Sequence, residues 1–273
     1  MKQITLFLLL IFGFSYGQTT HRFIYELKFK KDSLAQKYDT DYYILDISEK
    51  EQKFYNQELY QNDSISRLKI NSEYNFSYPK LPIRLVHKDG SFYNYYSQTP
   101  LYYLLKTKDK QNWHITSEKK KLDKFNVQKA TTQFGGRTWE AWFTTDIPFP
   151  YGPYKFYGLP GLILELSDTK ENFIFSFKAN KNINAHIDTS RYIETQIGLK
   201  PTEIAKNQWQ KLQLDYFVNP LKDFGDGGLI VENERGEKVK ADSRAIIENQ
   251  QNYLRKYNNP IELDMAVQYP VQK

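Results

Sequence analysis

Apolar and polar residues alternate along much of the first two thirds of the chain. Phe23, Tyr25, Leu27 and Phe29 occupy every second position, with Glu26, Lys28 and Lys30 on the other register. Tyr43, Leu45 and Ile47 repeat the pattern. Ile83 and Leu85, then Phe92 to Tyr96, flank Asp89-Gly90, a pair suited to a two-residue hairpin turn. Leu101 to Leu105, Trp113 to Thr116, Phe125 to Ala130 and Thr138 to Phe143 are further strand candidates. Leu162, Leu164 and Leu166 lead through a polar stretch, Asp168 to Asn172, into Phe173, Phe175 and Phe177, which reads as a hairpin. Successive strand side chains point to opposite faces, so each run has one apolar face to bury.

Half-buried strands with short polar connections predict a mainly β fold, a curved antiparallel sheet or an open barrel. The last third changes period. Ala205, Trp209, Leu212 and Tyr216 fall at helical spacing between Pro201 and Pro220, predicting a helix over 202–218. A Gly-rich loop, Asp223 to Gly228, and a short strand at Leu229 to Glu232 follow. Asp242 is placed to cap a last helix over 243–258, ending at Asn259-Pro260. The class is therefore α+β, with helices gathered near the C-terminus. Residues 51–70 fit helix and strand equally. No repeat or low-complexity linker divides the chain, so 18–273 reads as a single β-rich domain.

The N-terminus has a different pattern. Lys2 precedes an almost wholly apolar run from Ile4 to Phe14, and Ser15-Tyr16-Gly17 ends it with small residues at two cleavage-site positions. Residues 1–17 are the expected signal peptide, with cleavage before Gln18. The run is too short to span a bilayer, which takes about 20 residues. No later segment has the length and hydropathy of a transmembrane helix, so the mature chain is expected to be exported, soluble and periplasmic or envelope-associated. The chain has no Cys. That excludes disulfides, thiolate metal sites and the acylated cysteine of a lipoprotein.

The net charge is +6, or +5 once Lys2 leaves with the signal. The charges are mixed along the sequence; the longest basic cluster is Lys119-Lys120-Lys121. Together with export, this argues against nucleic acid as a partner. Aromatic residues are dense, with Tyr 22, Phe 18 and Trp 4. They pack well on pleated sheets, and in an envelope protein they also suit sugars or apolar ligands.

One stretch breaks the strand pattern. Pro148, Pro150, Pro153 and Pro160 lie between Phe143 and Leu162, with Gly152, Gly158 and Gly161. Proline donates no N–H to a central ladder, so pairing must lapse and a stiffened loop form. Pro160-Gly161 predicts a turn with positive φ at Gly161. Two readings of the loop stand together. It caps an open end of the sheet with Phe149, Tyr151, Tyr154, Phe156 and Tyr157, or it closes a binding site.

Gly158-Leu159-Pro160-Gly161-Leu162-Ile163 resembles the signature of the GLPGLI family of secreted bacterial proteins, which implies no particular reaction. Residues 112–180 are similar to that family's core block. The matching residues are Trp113, Gln128-Lys129-Ala130, Gly136-Arg137, Ala141-Trp142-Phe143, Asp146-Ile147-Pro148 and Gly152-Pro153. Asn259 to Leu263 resembles its C-terminal end. Val127 is a departure, because the resemblance leads one to expect Cys there in many relatives.

Candidate chemistry is sparse. The four His, at 21, 87, 114 and 186, show no metal-ligand spacing, and neither a G-x-S-x-G elbow nor a nucleotide-binding fingerprint occurs. No metal or cofactor is expected. Glu140, Asp146 and Glu165 are the candidate catalytic carboxylates: Glu140 lies between Trp139 and Trp142, Asp146 opens the Pro-rich loop, and Glu165 interrupts an apolar strand. The plainer reading pairs Glu140 with Arg137 or with a lysine on a neighbouring strand. Arg137, Trp139, Trp142, Tyr154 and Tyr157 are the candidate ligand-binding residues. Two functions follow. The first is a non-enzymatic binding or accessory module for a peptide, glycan, apolar ligand or outer-membrane partner. The second is a hydrolase of peptide or polysaccharide working through the carboxylates.

Overall fold

The computed structural model describes residues 19–67, 78–98, 101–222, 229–232 and 235–271. The expected signal peptide, residues 1–17, and the Gly-rich stretch 223–228 lie outside the described residues. The first strands are β1 (Thr20–Phe29), β2 (Asp39–Ile47) and β3 (Gln52–Asn56), followed by helix α1 (Gln57–Arg67). Then come β4 (Arg84–Lys88), β5 (Ser91–Gln98), β6 (Leu101–Thr107), β7 (His114–Leu122), β8 (Phe125–Phe134) and β9 (Arg137–Thr144). After the Pro-rich loop the chain forms β10 (Leu162–Asp168), β11 (Phe173–Ile183) and a π-helical turn, Ser190–Glu194. It ends with β12 (Thr202–Glu203), α2 (Lys206–Val218), β13 (Ile230–Glu232), β14 (Lys238–Lys240) and α3 (Ser243–Lys256).

Among the described residues twelve strands join in one sheet, ordered β12-β6-β5-β4-β3-β2-β1-β11-β10-β9-β8-β7. Neighbours are antiparallel except β12, which runs parallel to β6. The sheet is not closed into a barrel: β12 and β7 are its two edges. It is strongly curved all the same. Strands β5 and β9 are seven positions apart, about 33 Å on a flat sheet. Yet Phe92 of β5 packs 5.7 Å from Tyr157, while Trp139 of β9 packs 4.8 Å from Phe156, the preceding residue. One dipeptide therefore touches both halves of the sheet, which wraps around it.

The inner face carries the main core. Phe23, Tyr25, Leu27, Phe29, Tyr43, Leu45, Phe54, Leu85, Phe92, Trp139, Ala141, Phe143, Phe173 and Phe175 are all buried there, every second residue of their strands. A smaller cluster lies on the outer face, where Ile44, Tyr55, Val86, Tyr95 and Tyr102 pack under Leu59 of α1 and Tyr192 and Ile193 of the π-helical turn.

Several sequence expectations shift in detail. Of residues 51–70, the described part, 51–67, is strand, then helix: Asn56 ends β3 and its side-chain carbonyl accepts from Glu58 N at 2.8 Å, capping α1. Strand β7 runs past Thr116 to Leu122. Its basic, exposed residues hid it, because an edge strand needs no apolar alternation and lysine there discourages further pairing. The helix expected from 202 begins at Lys206, since Thr202–Glu203 is drawn into the sheet as β12. Asp242 caps α3 as expected, accepting from Arg244 N and Ala245 N. Among the described residues no helix is long and apolar enough to cross a membrane.

Candidate binding cavity

The Pro-rich loop fills the inner face. Phe156 and Leu159 are buried, and Ile147, Phe149, Tyr151, Tyr154 and Tyr157 pack against the same core. Where strand pairing lapses, specific bonds replace it: Gly158 N donates to Pro150 O at 2.8 Å, Leu162 N to Ile147 O and Ile163 N to Tyr151 O, both at 3.0 Å. Gly161 does not have the positive φ expected of it; Gly158 does, at 93°. Gly161 is required for a different reason. A Cβ there would sit 1.9 Å from the carbonyl oxygen of Thr144, so the loop can return this close to β9 only without a side chain. Leu162 and Ile163 complete the hexapeptide as buried core.

Most of the sequence-level site candidates have structural partners. Arg137 is buried and ties the C-terminal segment to the sheet. Its guanidinium pairs with Asp168 at 3.2 Å and donates to Asn259 Oδ1, Pro260 O and Ile261 O. Burial lowers its pKa, and Asp168 offsets part of that effect. Trp139, on the same face, is fully buried with its indole N–H donated to Phe134 O. Trp142 points to the opposite face, half-buried, with Lys120 Nζ 4.3 Å above its ring. Glu165 takes the same lysine at 2.7 Å. Glu140 pairs with Lys129 at 3.2 Å, the neighbouring-strand lysine, not Arg137. Asp146 is exposed at the loop's start. Tyr157 is fixed by three bonds: its hydroxyl donates to Asp109 O, its N–H to Gln111 Oε1, and its carbonyl accepts from Trp113 Nε1.

The concave side is not filled everywhere. Beyond the loop, α2, α3 and residues 258–269 cover β4–β6 and leave a cavity of about 330 Å³. Its walls are Phe29, Tyr96, Tyr154, Phe173, Trp209, Tyr253, Tyr257 and Tyr269, with Asn94, Gln213 and Glu262 among the polar lining. Of the candidates named from sequence, only Tyr154 lines it. Tyr253 and Tyr257 are both exposed, so this wall opens to solvent. Trp209 stacks on Tyr96 at 4.5 Å and meets Tyr103 edge-on, holding α2 over the sheet.

An ion cluster supports the cavity where the loop meets it. Lys155, 2% exposed in its side chain, pairs with Asp109 at 2.9 Å and with Glu262 Oε1 at 2.7 Å. Tyr154 donates its hydroxyl to the same Oε1. Burial raises the pKa of Tyr96 and of Tyr154, and the charges of Glu262 and Asp109 raise both further. Tyr154 itself has φ of 57°, uncommon for a bulky residue. Two residues visible in the sequence point to this site: the lone Trp209 on the apolar side of a predicted helix, and Glu262 in the C-terminal segment.

A family model described as "Protein of unknown function (Porph_ging)" matches residues 106–165, from β6 through the loop into β10. No curated protein matches. Among solved structures, "Structure of PNGF-II in C2 space group" superposes with a TM-score of 0.51 at 17% identity. It covers 71% of this chain and 32% of that one. "Structure of PNGF-II in P21 space group" gives 0.50, 17%, 71% and 33%. The chain thus spans about a third of the length of those structures, and the likeness is one of fold.

Proposed function

We propose that the chain is an exported, non-enzymatic binding module of the cell envelope, of GLPGLI type, and that its ligand occupies the cavity beneath α2 and α3. The observation that carries this reading is the cavity itself. It has the volume of a small-molecule site, aromatic walls and a few convergent polar groups. Export rests on the N-terminal pattern of Lys2 and the apolar run that follows. The catalytic alternative finds less support. Glu140 and Glu165 are each held by a lysine, and neither they nor Asp146 line the cavity.

The test is capture of small molecules from an envelope extract by the purified mature chain, followed by native mass spectrometry. Wild type and Trp142→Ala are expected to retain a bound species that Trp209→Ala loses while staying folded. Equal retention by Trp209→Ala would place the ligand elsewhere. Intact mass of the exported product, expected to begin at Gln18, tests the localisation.

A further inference from the structure

The lining of the cavity selects the charge of its ligand. Most of its polar groups are already spent: Asn94 donates to Leu105 O, Gln213 donates to Gln98 Oε1, Asn258 donates to Val267 O, and Asn259 is bonded through both ends of its amide. What remains is mostly acceptor capacity. Glu262 directs one oxygen, Oε1, to both Lys155 and Tyr154, and Oε2 has no partner among the described residues. The Tyr96 hydroxyl likewise has no hydrogen-bond partner among them. Asp109 and Glu262 share the single cation Lys155, so this buried cluster carries an excess negative charge.

The same cavity is lined by the rings of Tyr96, Tyr154, Trp209 and Tyr257, and aromatic rings attract cations. Lys31, Lys80 and Arg84 also line the cavity, and they oppose a cation. The Arg84 guanidinium lies over the ring of Tyr102, in the outer-face cluster, away from Glu262. Lys80, however, pairs with Asp39 at 3.1 Å and is half exposed, and Lys31 also reaches solvent, where water and salt screen both. Glu262 is buried and less screened.

From this we infer that the cavity binds a small cationic amphiphile, an ammonium head on an aromatic or alkyl body, with the head at Glu262 and the body among the rings. The inference rests on the cavity being the ligand site. The experiment compares three probes sharing one body, 4-phenylbutylamine, 4-phenylbutanol and 4-phenylbutyrate, titrated calorimetrically into the mature chain at neutral pH. The amine should bind at least tenfold more tightly than the other two. In Glu262→Gln, where Lys155 keeps Asp109, that preference should fall to about threefold or less with alcohol binding unchanged. Equal or tighter binding of the alcohol or the carboxylate overturns the inference and leaves the cavity as a site. Failure of all three to bind overturns both. The head-group series on the wild-type chain decides the matter even if the variant does not fold.

Discussion

The inner face of the sheet is finished differently at its two ends. Around β8–β11 the Pro-rich loop lies against it and fills it, with Phe156 on Trp139 and Leu159 buried beside them. Around β4–β6 the covering elements are helices, which stand off and leave about 330 Å³. The difference lies in the covering chain. A loop rich in proline and glycine can follow the sheet residue by residue, coming so near β9 at Gly161 that a Cβ there would lie 1.9 Å from the Thr144 carbonyl oxygen. A helix touches through one stripe of side chains, here chiefly Trp209. The most conspicuous sequence motif thus marks scaffold, and the space for a ligand lies under a helix with little sequence distinction.

The comparison can be broken most forcefully at the tryptophans of β9. Trp139→Ala removes a fully buried ring and should lower unfolding free energy by about 3–5 kcal/mol. Trp142→Ala, on the opposite face and only partly buried against the core, should cost less, about 1–2 kcal/mol. Denaturant titration of both variants checks this. Equal losses would mean that the filled end does not depend on the packing of Trp139 beneath the loop.

Next in size is the loop's return. Gly161→Ala should destabilise by about 1–3 kcal/mol, through the collision with the Thr144 carbonyl. Gly158→Ala meets nothing within 4 Å and should cost about 1–2 kcal/mol, from its positive φ alone. Thermal unfolding of the pair separates contact from conformation; an unaffected Gly161→Ala would remove the close approach from the explanation.

The smallest expected effect is a pH dependence at the seam. His87 stacks on Phe92 at 4.1 Å and lies 5.1 Å from Tyr157 of the loop. Burial lowers its pKa below the ordinary value of 6.5. The unfolded chain therefore takes up this proton first, and stability present above about pH 6.5 declines as pH falls through that value. His87→Gln should flatten this decline between about pH 7 and 5, measured by urea midpoints. A steeper decline in the variant would reverse the sign assigned to His87.

The fold was largely legible because its signals are local. Period-2 alternation in Phe23–Phe29 or Phe173–Phe177 reports a face to be buried, and Asp89-Gly90 reports a hairpin, whatever lies far away in the chain. What stayed hidden depends on partners distant in sequence. Nothing near Thr202 announces pairing with Tyr103 of β6. The exposed lysines of β7 look like loop until β8 is beside them. Arg137 reads as a ligand-binding candidate because Asn259, Pro260 and Asp168, which use its guanidinium, are far along the chain. The cavity was least legible of all. Tyr96, Tyr154, Trp209, Tyr257 and Glu262 come from separate elements, and a void is a failure of packing that no residue encodes alone.

The most direct test of where ligands bind uses the indole N–H signals of the four tryptophans in a ¹H–¹⁵N spectrum, assigned with single Trp→Phe variants. Addition of the phenylbutyl probes should shift the Trp209 signal at the cavity and leave the Trp142 signal, on the opposite sheet face, in place. A shift of Trp142 with Trp209 unmoved would contradict the assignment of the ligand site to the cavity beneath α2 and α3.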